Sequence, residues 1–129
     1  MLVYRVENQE LKHGLWRDFE GNWNPIFDKL TDGLVKDIPM DDNDLYRVGG
    51  KQWFAAAPSK ETLKHWFSLQ DVLETRNMGY KVYEFNISEG KTVSDFEMIF
   101  CRENIISQNE VLPEFIWEEL NKEGNDKNE

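Results

Sequence analysis

The stretch Tyr80-Lys81-Val82-Tyr83-Glu84-Phe85-Asn86-Ile87 alternates with a period of two, opposing Tyr80, Val82, Glu84 and Asn86 to Lys81, Tyr83, Phe85 and Ile87. Only an extended strand sends successive side chains to opposite faces, so this segment commits the chain to a sheet. Leu2 to Glu7 repeats the pattern, with Leu2, Tyr4 and Val6 on one side and Val3, Arg5 and Glu7 on the other. It is a short strand that opens the fold. Gly49-Gly50 punctuates before a candidate strand, Lys51 to Ala57, which ends at Pro58. Ser88-Glu89-Gly90-Lys91 makes a turn, and Thr92 to Arg102 follows as one further strand containing Phe96, Met98, Ile99 and Phe100. Glu103-Asn104 breaks it before Ile105-Ile106-Ser107.

Helices are signalled between these strands. Ser59 is an N-cap, and Leu63, Trp66 and Phe67 fall on one helical face behind it. Leu69 to Arg76 is a second helical piece that Asn77-Met78-Gly79 stops. Asn24-Pro25 opens another, with Ile26, Phe27, Leu30, Leu34 and Val35 at helical spacing. Before it, residues 8–24 carry Trp16, Phe19 and Trp23 without a period, which reads as an ordered loop. Pro39 and Asp41-Asp42-Asn43-Asp44 form a solvated loop, and Pro113 to Leu120 a short helix. The order of elements predicts an α+β domain over residues 1–120, with residues 121–129 a disordered acidic tail that has no apolar anchor.

Composition narrows the function classes. The 129 residues fit one domain, and 40% of them are hydrophobic, enough to build a core without metals or disulfides. A net charge of −10 disfavours direct nucleic-acid binding. The single Cys101 can form no intramolecular disulfide, no Cys/His set has zinc spacing, and no apolar run approaches a membrane span. A cytoplasmic protein is expected. Cys101 with His13 and His65 makes no nucleophile triad, Gly49-Gly50 is not a phosphate loop, and Asp41 to Asp44 lacks the EF-hand glycine and terminal glutamate.

Three segments carry the chemistry that remains. Arg5 has the forked donors to hold a phosphate or carboxylate. The small-residue strand Ala55 to Ala57 runs into the Ser59 cap and lets a ligand approach closely. Asp95-Phe96-Glu97 sets two carboxylates on one face of the late strand, where Glu97 has the charge to stabilise a cationic ribose. On spacing alone, Arg5 and Glu97 read first as strand ends at the surface or as a cross-strand ion pair.

The succession Tyr4-Arg5, then Trp53-Phe54-Ala55-Ala56-Ala57-Pro58-Ser59 leading into Lys60 to Phe67, then Gly79 to Phe85, then Asp95-Phe96-Glu97-Met98-Ile99 resembles a minimal ADP-ribosyltransferase. It is similar to small phage and prophage proteins and to phage anti-CRISPR proteins of that fold. The resemblance spans most of residues 2–110. It implies a split, strongly bent mixed or antiparallel sheet with flanking helices, and a cleft lined by Arg5, Ser59 and Glu97. In that reading the cofactor is NAD, cleaved so that ADP-ribose passes to a macromolecule of the infected host, a protein or a nucleic acid. Arg5 grips its ribose or phosphates, Phe54 to Ser59 supports the nicotinamide, and Trp53, Phe54, Trp66, Phe67 or Tyr80 gives a stacking wall. Glu97 is the catalytic glutamate, and Asp95 stands where arginine-modifying members carry glutamate or glutamine. Alanines replace the family's central hydroxyl residues, leaving Ser59. The alternative is a non-catalytic acidic inhibitor that binds a basic, nucleic-acid-handling host complex.

Overall fold

The computed structural model describes residues 1–15 and 50–117. The expected helix after Pro25, the acidic loop at 41–44, most of the aromatic loop and the tail lie outside the described residues. β1 (Leu2–Asn8) pairs along its whole length with β4 (Tyr80–Ile87), antiparallel, from Leu2 opposite Asn86 to Asn8 opposite Tyr80. β4 pairs in turn with β7 (Ile105–Val111). On the other side of β1, a two-residue strand, β2 (His13–Gly14), returns to Asn8 and Glu7. These four form one antiparallel sheet, in the order β2-β1-β4-β7. A second antiparallel sheet has the order β3-β6-β5, built from β3 (Phe54–Ala56), β5 (Lys91–Ser94) and β6 (Glu97–Phe100).

The two sheets meet at one rung. Tyr4 and Ala57 exchange both backbone hydrogen bonds, at 2.9 and 2.7 Å, beyond the end of β3. The edge of β1 is therefore divided: β3 approaches near Tyr4, β2 approaches from Glu7 onward, and the two diverge in between. The α+β class and the antiparallel pairing among the described residues agree with expectation.

Helices cover one face. Ser59 caps α1 (Lys60–Trp66) through its Oγ, which accepts from the Thr62 amide at 3.1 Å, and Ser68 caps α2 (Leu69–Arg76) in the same manner. Leu63, Trp66 and Val72 pack on Tyr4, Val6 and Val82. The other face of the strands builds a second cluster, in which Val3, Phe54 and Ala56 meet Phe85, Met98 and Phe100. Beyond Leu2, the face alternation of β1 survives, but both of its faces are covered, which explains why five consecutive residues from Val3 to Glu7 are buried. Gly79, with φ +93°, supplies the left-handed turn out of α2 into β4.

One strand reads differently. Residues 92–102 are not continuous: Ser94 pairs with Glu97, and the chain reverses at Asp95-Phe96, where the Ser94 Oγ accepts from the Phe96 amide at 3.1 Å. Ser94 competes for the backbone as turn-forming hydroxyls do, and apolar enrichment on both sides hid the reversal. Likewise the strand before Pro58 is shorter than expected, starting at Phe54.

Candidate functional site

Arg5 sits in the fork of β1 and is only 7% exposed. Its Nε donates to Glu7 Oε1 at 2.6 Å, and its Nη1 donates to the Ala55 carbonyl at 2.8 Å. Continuing the Tyr4–Ala57 register by one rung would bring Ala55 to Val6. At that place the guanidinium takes the Ala55 oxygen and so seals the point where β3 leaves β1. Phe54 lies under the guanidinium, its centroid 5.2 Å from Cζ. Gly14 backs it from β2, close enough that a Cβ there would stand 2.9 Å from Arg5 Nη2.

Glu7, two residues along the same strand face, is fully buried and holds this cluster together. Its Oε1 accepts from Arg5 and also from Arg102 Nη2, and its Oε2 accepts from Gln9 Nε2 at 2.8 Å. Arg102 lies in a short 3₁₀ turn, Arg102–Asn104, directly before β7, and its Cζ stands 4.5 Å from the same Phe54 ring. One aromatic ring therefore carries two guanidiniums, and one carboxylate ties them. Burial alone would push the Glu7 carboxyl up, but the charges and hydrogen bonds of Arg5 and Arg102 outweigh it and hold the group below its ordinary range.

Glu97 and Asp95 are separated by the reversal of the chain. Asp95 is exposed in the β5–β6 turn, while Glu97 opens β6 and is fully buried. The two carboxylates do not share a strand face, because they do not share a strand. In the β3–β6 register Ala56 opposes Met98 and Ala55 opposes Ile99. One step further, Glu97 falls opposite Ala57, on the helix-covered face with Ile99 and Cys101. Arg5 belongs to the other face, with Val3 and Phe54.

The remaining expected site residues divide likewise. Phe54 joins Arg5. Tyr80 is core on the helix side. Ser59 is engaged at the α1 cap, where its Oγ is also 3.0 Å from Thr62 Oγ1. The expected grouping of Arg5, Ser59 and Glu97 thus consists of one group in the fork, one at a helix start and one on the opposite sheet face. Cys101 is buried beside β6, and desolvation raises its thiol pKa.

Sequence reasoning did not find Glu7 or Arg102. The i, i+2 spacing of Arg5 and Glu7 in an alternating strand was a readable signal, whereas Arg102 lies 95 positions from Glu7 and only the fold brings it there. Beside Arg102 is an open surface pocket of about 310 Å³, lined among the described residues by Lys12, Lys51, Gln52, Phe54, Cys101, Arg102 and Glu103. No group of three or more His, Cys, Asp or Glu among the described residues is arranged to hold a metal ion. No helix among them is long and apolar enough to cross a membrane. Compared with known proteins, the chain matches no family model, no curated protein and no solved structure.

Proposed function

We propose that the chain is a non-catalytic interaction protein on an ADP-ribosyltransferase-like frame, engaging a basic, nucleic-acid-handling complex in a phage counter-defence setting. The observation that carries this reading is the separation of Arg5 and Glu97. A transferase needs both groups on one bound dinucleotide, with the carboxylate beneath the ribose as positive charge develops. Here Arg5 is committed to Glu7 and Ala55 in the fork, and Glu97 is buried toward the helices. The net charge of −10 suits a cationic partner surface, which it would attract over a Debye length of roughly 10 Å at moderate salt.

A second reading, a mono-ADP-ribosyltransferase that cleaves NAD, is favoured by the fork itself. Arg5 stands where β3 departs, and β3 leads through Ala57 into the Ser59-capped helix as the resemblance implies. Nicotinamide release separates the two. The interaction reading expects no release above background from wild type, and the same from Glu97→Gln. Release by wild type that falls about a hundredfold or more in Glu97→Gln overturns it and establishes the transferase.

A further inference from the structure

We infer that two copies of this chain pair through β7, strand against antiparallel strand, about a two-fold axis at Gln108. The inference goes beyond both functional readings and rests on neither. It starts from an open sheet edge. In the order β2-β1-β4-β7, β7 is the outer strand, and no described strand lies beyond it. Its five central residues, Ile106 to Glu110, are all exposed. The outer strands β2 and β5 are poor edges by comparison: β2 has two residues, and β5 has four, begins with Lys91 and is irregular in register. β7 has seven residues and no Lys, Pro or Gly. Its irregularity lies at the Asn86–Ile87 end, which leaves Ser107 to Val111 in regular register with β4.

The ladder shows which groups this edge offers. Tyr4 spends its N–H and C=O on Ala57, so its rung with Glu84 exchanges no hydrogen bonds. Met1 and Ile87, three rungs on, exchange both at 2.9 Å, as the alternation requires. Glu84 therefore turns its backbone groups to Asn109, and the neighbours of Asn109, Gln108 and Glu110, turn theirs away from β4. An added antiparallel strand satisfies such groups. β7 is itself the strand that fits. Laid antiparallel on its copy with Gln108 on the axis, it sets Ile105 against Val111, Ser107 against Asn109 and Gln108 against itself, so β-branched meets β-branched and polar meets polar. Gln108 faces outward, which the axis needs if its central rung is to carry both hydrogen bonds. Charge permits the contact at this place. β7 holds one charged residue, Glu110, already 3.6 Å from Lys81. In the pair it faces Ile106, and the two Glu110 residues stand about 14 Å apart, beyond a screening length of roughly 10 Å at moderate salt. A chain of net charge −10 repels its copy, and it approaches that copy best where charge is sparse.

The test is sedimentation equilibrium of the full chain over a range of concentrations at low and at moderate salt. A monomer–dimer equilibrium is expected, tightening severalfold as salt screens the repulsion between two acidic bodies. Gln108→Pro removes an outward N–H and leaves the ladder to β4 whole, so it should weaken dimerisation about tenfold or more while the dilute protein melts as wild type does. Cysteines read the register. Gln108→Cys sets two thiols at the axis with Cα atoms about 5.5 Å apart, within disulfide reach, whereas Glu110→Cys sets them about 14 Å apart. Oxidation with diamide should crosslink the first and leave the second monomeric on denaturing electrophoresis. The inference is overturned if the chain stays monomeric at every concentration and salt, if dimerisation weakens with salt, if Gln108→Pro dimerises as wild type does, or if Gln108→Cys crosslinks no more readily than Glu110→Cys. None of these results bears on nicotinamide release, so this inference and the functional reading fail separately.

Discussion

At the scale of single residues, the buried ion cluster is where substitutions have their largest effect. Glu7→Gln leaves two guanidiniums on one ring without their shared counter-charge, and breaking a buried pair costs about 3–5 kcal/mol. Urea unfolding should show that loss, against less than about 1 kcal/mol for Lys51→Gln. The same cluster sets the acid limit of stability. The folded Glu7 pKa is depressed, so its contribution is complete above the carboxylate's unfolded pKa and is lost as pH falls through the folded one. Tyr4 sets an alkaline limit. Burial, then its hydrogen bond to Glu84 at 3.0 Å, raises its pKa to about 12 from 10.0, so the folded state retains a proton that the unfolded chain releases. Stability from Tyr4 is present below the unfolded pKa of 10.0 and declines as pH rises toward 12. Tyr4→Phe should flatten that alkaline slope in melts recorded between pH 9 and about 12, and an unchanged slope would assign it to other groups. Gly14→Ala forces the pinned Arg5 guanidinium to move and should cost about 1–3 kcal/mol, the range for overpacking.

At the scale of elements, what could be read from sequence depended on whether the deciding force was local. The start of α1 follows from Ser59 and the apolar spacing behind it, and the run of α2 from Leu69 to the stop at Asn77-Met78-Gly79, all within a few residues, and the structure has both as expected, with Ser68 as an additional cap. Period two placed β1 and β4 with their faces in the correct sense. The β5–β6 reversal is hidden in the sequence because Asp95-Phe96 carries neither glycine nor proline, and Phe96 looks like strand core while standing 40% exposed in the turn. The consequence is a displaced carboxylate: Asp95, which spacing alone sets on one strand face with Glu97, is a turn residue. The Ser59 cap invites a direct check. Ser59→Ala should lower stability by about 1 kcal/mol through the unmet Thr62 amide, measurable as a shift in denaturation midpoint at unchanged slope. At the other extreme, Ile106 in β7 is 65% exposed, so Ile106→Lys should shift stability by no more than about 0.5 kcal/mol.

At the scale of the whole molecule, the assembly of the candidate site was beyond sequence reasoning because it rests on pairings between distant segments. Arg5 and Glu7 come from the first strand, Phe54 from the middle of the chain and Arg102 from near the end of the described residues. The α+β class needed only the order of elements, whereas the question of which face holds Glu97 needed the register of β3 on β6. The role of β1 as the strand common to both sheets also has a meaning in time. Its rungs run from Leu2 opposite Asn86 to Asn8 opposite Tyr80, so β1 leaves the ribosome well before the strand that pairs along its whole length. At about 5–20 residues per second, the intervening chain takes roughly 4 to 16 seconds to appear. Throughout that interval Val3, Tyr4 and Val6 have no β4 to cover them, and a nascent chain stalled before residue 80 should be captured by holding chaperones that release it once β4 has emerged.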